Sequence, residues 1–261
     1  MKYELKYLSV GELLGKAFNL YFNNFLILFI VSLLSNLTLL ATARVNELIL
    51  NSDMGEVSSL LIYLCNILIK IIPSYFATGL IMLVIARKYL DNPVSLSDIA
   101  PRALKLVLPL IGLGILQTLA VLGGVVLLII PGIIFALAFS LSASTLVVEK
   151  KGVIESMKRS WNLTKGHRGG IFGYQLLVWL IAFGFSLIFR LVSNLIFKDF
   201  SSSRFLFLRT LPVIIQNSLT TPLTSCVMIL IYFNLRINKE GFAVEHLTES
   251  FSFDLEASSA I

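Results

Sequence analysis

Six stretches of this chain are apolar for long enough to cross a bilayer, and that constrains its fold more than any other feature: about 22 to 43, 58 to 86, 104 to 122, 125 to 148, 170 to 190 and 211 to 235. A spanning helix needs roughly 20 predominantly apolar residues, because each advances about 1.5 Å through a hydrocarbon layer about 30 Å thick. The composition agrees: 57% of the 261 residues are hydrophobic and 14% charged, too apolar for an ordinary water-facing surface. The expected fold class is an all-α integral membrane protein whose six transmembrane helices form three helical hairpins. Gly123-Gly124, between the third and fourth runs, permits a tight hairpin there.

Lysine and arginine give the orientation. Lys2, Lys6, Lys16, Arg87, Lys88, Arg102, Lys105, Lys150, Lys151, Lys158, Arg159, Lys165, Arg168, Arg236 and Lys239 fall on one side of a six-span topology. Arg44, Arg190, Lys198, Arg204 and Arg209 fall on the other. The richer side is expected to be cytoplasmic, with both termini inside an inner or plasma membrane. The N-terminal lead is long and mixed in charge, unlike the short basic start of a secretory signal. The net charge of +6 sits at the ends of apolar segments, which points to anionic lipid headgroups rather than nucleic acid.

Stacking the segments on the basic side shows a threefold pattern: ELLGKAFNL from Glu12, DIAPRALKL from Asp98 and ESMKRSWNL from Glu155. Each has an acid four residues before a base, the favourable order for a helical ion pair. Each puts apolar residues on one helical face, such as Leu13, Leu14, Ala17 and Phe18, or Ile154, Met157 and Trp161. A short amphipathic helix on the cytoplasmic face is therefore expected before each hairpin. The units run over about 8–90, 95–150 and 152–237, forming one membrane domain, 1–237, followed by an acidic tail, 238–261. Pro73, Pro131 and Pro222 open the second span of each unit and mark its bends, with Pro131-Gly132 as the start of the fourth span.

Three stretches carry a resemblance to a known family: IPGIIFALAFSLSASTLVVE (Ile130 to Glu149), IESMKRSWNLTKGHR (Ile154 to Arg168) and LTTPLTSCVMILIYFNLRINKEGF (Leu219 to Phe242). They resemble the glycerophosphoryl diester phosphodiesterase membrane-domain family and its stand-alone bacterial relatives. The family favours Tyr-Asp-Leu-Arg and Glu-Gly-Phe-Asp, where this chain has Asn234 and Ala243. The resemblance implies a membrane region and no settled activity, since the named activity belongs to a soluble domain fused to such regions.

An enzyme is not expected. The two histidines, His167 and His246, lie in separate segments, so a metal-dependent phosphodiester site cannot be assembled; no metal or cofactor is expected. The two cysteines, Cys65 and Cys226, both sit in apolar runs and form no disulfide framework. Ser140, Ser142 and Ser144 are expected to bond their own helix backbone or to allow close helix contact.

Two functional readings remain. The first is a membrane-organising, anchoring or lipid- and partner-binding scaffold. Its basic face holds Lys16, Arg102, Lys158, Arg159, Lys165, His167 and Arg168 at headgroup level, with Trp161 among them. The second is a transporter or lipid-handling permease, in which Gln117 and Thr118 of the third span meet Gln216, Asn217, Thr220 and Thr221 of the sixth in a polar cavity.

Overall fold

The computed structural model describes residues 8–50, 55–196 and 210–240. Ten α-helices follow one another among the described residues, with no strand: α1 (Val10–Asn23), α2 (Phe25–Asn36), α3 (Thr38–Leu50), α4 (Glu56–Tyr89), α5 (Leu96–Leu127), α6 (Ile129–Phe139), α7 (Ser142–Glu149), α8 (Val153–Thr164), α9 (Arg168–Ile196) and α10 (Leu211–Glu240). They supply six segments long and apolar enough to cross a membrane: Phe25–Asn46, Leu60–Tyr89, Leu96–Leu127, Ile129–Glu149, Arg168–Val192 and Leu211–Glu240. The protein is an all-α membrane protein, with its spans where the apolar runs place them. The tail beyond Glu240, including Ala243 and His246, lies outside the described residues, as do Lys2, Lys6, Lys198, Arg204 and Arg209.

The core forms around α10, which packs against α1, α2, α4 and α9. From Cys226 to Leu235 it is buried almost all round, including the large side chains of Tyr232 and Phe233. A helix buried on every face shows no amphipathic stripe, and this stretch reads as apolar apart from Asn234. The second half of α4, from Leu80 to Ala86, is its buried counterpart, and Tyr89 stacks on Phe233 with ring centroids 5.1 Å apart. By contrast α9 stays peripheral: 6% of its apolar window is buried, against 56% for α10.

The third and fourth spans pack tightly, but their turn is not at the paired glycines. Helix α5 runs through Gly123-Gly124 to Leu127, and the chain reverses at Leu128, which is extended at φ −168° and ψ 152°. The glycine that matters faces the returning helix. A Cβ on Gly124 would lie 2.9 Å from the Gly132 backbone, and one on Gly132 would run into Val125, so the missing side chains allow the two arms to touch. Gly123 has nothing within reach of an added Cβ. Pro131 occupies the first turn of α6, where its absent N–H removes no helical bond, so it starts the helix rather than bending it. The fourth span does break, but lower down, at Ser140-Leu141 between α6 and α7.

Pro73 and Pro222 sit inside α4 and α10, which continue as helices across them. Pro222 leaves the carbonyl of Ser218 without its helical donor. One residue on, the Leu219 carbonyl accepts a 3.1 Å hydrogen bond from the Tyr21 hydroxyl of α1. Burial, with the Cys226 thiol nearby, pushes the Tyr21 phenol up to about 12, so it stays protonated and donates.

Two of the three stacked stretches are separate helices, α1 and α8. The middle one, DIAPRALKL, is continuous with its span as the first turns of α5, whose 32 residues reach about 48 Å at 1.5 Å each. Helix α1 starts at Ser9, whose amide donates to Glu12 Oε2 at 2.9 Å, and buries Leu13, Ala17 and Leu20 against the bundle.

The glycine contact predicts a contrast. Gly132→Leu should destabilise the protein by about 1–3 kcal/mol through overpacking of the α5/α6 hairpin. Gly123→Ala, nine residues away in the same hairpin, should be neutral or slightly stabilising. Thermal unfolding of both variants in one mild detergent, followed by circular dichroism, checks this.

Candidate functional site

The break at Ser140-Leu141 exposes backbone groups that hydrocarbon cannot satisfy. Side chains from two neighbouring helices do so. Ser160 of α8 donates its hydroxyl to the Ala138 carbonyl at 2.7 Å and accepts the Leu141 amide at 3.2 Å. Thr164, one turn on, also donates to Ala138 O, at 3.3 Å, and Gln117 Nε2 of α5 donates to the Phe139 carbonyl. On α7, Thr145 Oγ1 donates to the Ser156 carbonyl at 3.1 Å. Ser156, Ser160 and Thr164 recur every four residues along α8 and are wholly buried. This polar stripe, with Leu163 buried beside it and Val153 and Met157 packed against the core, docks α8 on the bundle, while Ile154 stays exposed. Of the serines expected to bond their own backbone, Ser140 does so, donating to Leu137 O at 2.8 Å. The Ser142 and Ser144 hydroxyls are buried without a partner.

Past the break, α7 ends in Glu149, whose side chain is 6% exposed. A buried carboxylate is tolerated only when paired and hydrogen-bonded. Its oxygens meet Arg159 Nε at 2.9 Å, Lys151 Nζ at 2.8 Å and the Tyr232 hydroxyl at 2.9 Å. Arg236 Nη1 donates to the same hydroxyl at 2.8 Å and lies 4.0 Å from the carboxylate. Glu240 closes the network, 2.5 Å from Arg159 Nη1 and 3.2 Å from Arg236 Nε. Burial works against the charge on Arg159, but Glu240 and Glu149 together hold it above its ordinary value. Arg159 was expected to pair with Glu155 four residues earlier; it reaches Glu149 and Glu240 instead. Lys239 donates to the carbonyls of Asn162 at 2.8 Å and Lys165 at 2.6 Å, placing a cation at the negative end of α8.

Asn234 explains itself in the same region. It is buried, accepts the Leu8 amide at 2.7 Å and donates Nδ2 to the Leu8 carbonyl at 3.1 Å. An ionised aspartate at this position could accept but not donate. The residues of YFNLR thus contact Glu149 through Tyr232, Tyr89 through Phe233, Leu8 through Asn234, and Glu240 through Arg236.

The residues expected at headgroup level divide. Lys158 and Lys165 are exposed, Lys16, Arg102, His167 and Arg168 are half-buried, and Arg159 is held by its two carboxylates. Trp161 packs 5.9 Å from Phe135 and 5.7 Å from Phe139, with the Arg168 guanidinium 4.4 Å over its ring. Beside it is an open recess of about 400 Å³ lined by Phe139, Ile154, Met157, Lys158, Trp161 and Asn162.

The intramembrane polar residues fall in two places. Gln117 and Thr118 line a second recess of about 400 Å³ with Val121, Leu122, Ala136, Phe139 and Ser140, none of them from α10. On α10, Thr220 donates to the Gln216 carbonyl of its own helix at 3.0 Å, Thr221 is exposed, and Gln216 and Asn217 are half-buried. Sequence reasoning did not single out Glu149, Ser156, Ser160, Thr164, Tyr232 or Asn66, a buried residue that donates to Asn46 Oδ1 at 3.3 Å. The available signal was the four-residue spacing of small polar residues in α8.

A multi-pass helical protein whose membrane-edge helix is fastened by buried polar and ionic contacts is the class this geometry defines. The chain belongs to the family described as Domain of unknown function (DUF7847), whose model matches residues 76–235 and so takes in the second half of α4 through most of α10. No curated protein and no solved structure matches it.

Two substitutions test the clamp. Glu149→Ala leaves Arg159 and the Tyr232 hydroxyl short of a buried partner and should cost about 3–5 kcal/mol. Asn234→Asp should cost about 1–3 kcal/mol by turning a two-way hydrogen bond into one buried acceptor. Melting temperatures in mild detergent, with Thr221→Ala as an exposed control, provide the measurement.

Proposed function

We propose that this protein is a non-enzymatic membrane-organising scaffold that binds anionic lipid headgroups, or a partner carrying similar charge, on a basic cytoplasmic face. The arrangement of α8 carries this reading. Its buried polar stripe and the Glu149–Arg159 pair fix it rigidly, and its outward side offers Lys158 and Trp161 around an open recess with apolar walls. An amine above an apolar slot fits a phospholipid, with the headgroup phosphate at the lysine and the upper acyl chain along Phe139 and Met157.

In this reading the protein lies in an inner or plasma membrane with both termini in the cytoplasm, as the lysine and arginine asymmetry favours. The three-unit plan also belongs here, and equivalent burial supports it. Leu13, Ile99 and Ser156 are each fully buried, as are Ala17, Ala103 and Ser160, the matching positions of the three stacked segments. The likeness to the membrane regions of glycerophosphoryl diester phosphodiesterases is taken in the same sense, as kinship of the membrane part alone.

The test uses the full chain in mild detergent, titrated with dioctanoyl phosphatidylglycerol and followed by tryptophan fluorescence. At about 1 kcal/mol for each lysine near an anionic surface, the double variant Lys158→Glu, Lys165→Glu should bind on the order of tenfold more weakly or worse. Arg159 is left in place because it belongs to the clamp. Unchanged affinity in the double variant would remove the proposal.

A further inference from the structure

Gln117 and Thr118 of α5 and Ser140 at the end of α6 come together on one recess of about 400 Å³, with Val121, Ala136 and Phe139 among its apolar walls. Phe139 also borders the recess beside Lys158, so the two are neighbours. Their depths differ. Gln117 lies twelve residues past the exposed Lys105 on α5, about 18 Å at 1.5 Å each, and ten residues before the helix ends at Leu127, about 15 Å. In a hydrocarbon layer about 30 Å thick that is close to the middle.

The chemistry of this recess follows from which hydrogen-bonding groups are already committed. Gln117 Nε2 donates to the Phe139 carbonyl, Thr118 donates its hydroxyl to the Gly114 carbonyl at 2.8 Å, and Ser140 donates its own to the Leu137 carbonyl at 2.8 Å. Both hydroxyl protons are therefore held by backbone. The capacity left on the three side chains is mostly that of an acceptor: the oxygens of Thr118, Ser140 and Gln117, with one N–H of Gln117 besides. Thr118 is exposed and the other two are half-buried, so an occupant can reach them. At this depth the surroundings are acyl chains, which donate nothing.

We propose that this recess binds the hydroxyl of an uncharged lipid alcohol, of which diacylglycerol is the glycerolipid form. A phosphate or carboxylate would bring a charge to mid-membrane and meet lone pairs where it needs donors. A hydroxyl brings no charge, donates to one of the oxygens and accepts the remaining N–H of Gln117. An ester in its place could use that N–H alone. The acyl chains then lie along Val121, Ala136 and Phe139. The site differs from the slot beside α8 in ligand as well as in place, because an amine borders that one and uncharged oxygens border this one. It does not depend on the α8 reading.

The full chain in mild detergent is mixed with equal amounts of dioctanoylglycerol and its acetate ester, which keeps both chains and lacks the O–H. The lipid retained on the protein is counted by native mass spectrometry. The wild type should retain the alcohol over the acetate about fivefold or more, the discrimination a hydrogen bond supplies inside a membrane. The double variant Thr118→Val, Ser140→Ala keeps the hold of Gln117 on Phe139 and should at least halve that ratio. Ala136→Phe, at an exposed position of the same recess, should cut retention of both lipids at least fivefold. Equal retention of the two lipids by the wild type would overturn the proposal, since any acyl chain then fits as well. An unchanged ratio in the double variant would do the same, as would alcohol retention untouched by Ala136→Phe. Lys158→Glu, Lys165→Glu should leave the ratio as in the wild type whatever it does to phosphatidylglycerol binding; a ratio that fell there instead would put the alcohol in the α8 slot and overturn the assignment.

Discussion

Everything at the basic end of this protein depends on neutralising one carboxylate in place. Glu149 ends a helix of eight residues that is buried nearly throughout, so its charge has little water to face and no route to the surface. The partners that answer it come from α8 and α10 as well as from the next turn of its own chain. Because each partner is itself partly buried and shared, the network fixes three chain segments relative to one another more firmly than exposed ion pairs would. The short α7 is the hub on which the third hairpin docks against the second.

The break above α7 follows the same logic in neutral form. A helix interrupted at membrane depth must find donors and acceptors elsewhere, and α8 supplies them through hydroxyls spaced one turn apart. The result is a helix whose seated face mixes hydroxyls with apolar side chains. On α8 the hydroxyls of Ser156, Ser160 and Thr164 face protein together with Leu163, while Ile154 faces outward.

Much of this plan was legible in the sequence. The spans needed only a count of apolar residues, and the start of the fourth span at Pro131-Gly132 followed from setting Pro131 beside Pro73 and Pro222 in the stacked units. The fastening was not legible. Glu149 stands next to Lys150 and Lys151, so it reads as part of a solvated boundary, and only the fold brings Tyr232, 83 positions away, onto its oxygen. Arg159 carried a plausible local partner in Glu155, and tertiary contacts overrode it because two carboxylates in a partly buried setting outweigh one on an exposed turn. The paired glycines marked the right hairpin but not the right turn, since the contact they permit lies along the arms. Gln117 was legible as a polar residue at mid-membrane; that it serves a broken neighbour could be seen only once the break at Ser140 was known.

The pairing of Asn234 with Leu8 has a consequence for how the chain is made. The two residues are 226 positions apart, so at about 5–20 residues per second the acceptor for the first helix emerges roughly 10–45 s after the segment that needs it. Until then α1 has no seat, because α10, its main neighbour, has not been synthesised. Docking of the N-terminal helix is therefore a late event that requires the sixth span to be inserted in the right sense. A chain truncated before Asn234, or one with its last span reversed, would keep that helix unanchored at the membrane surface, where quality-control proteases could recognise it as unfinished.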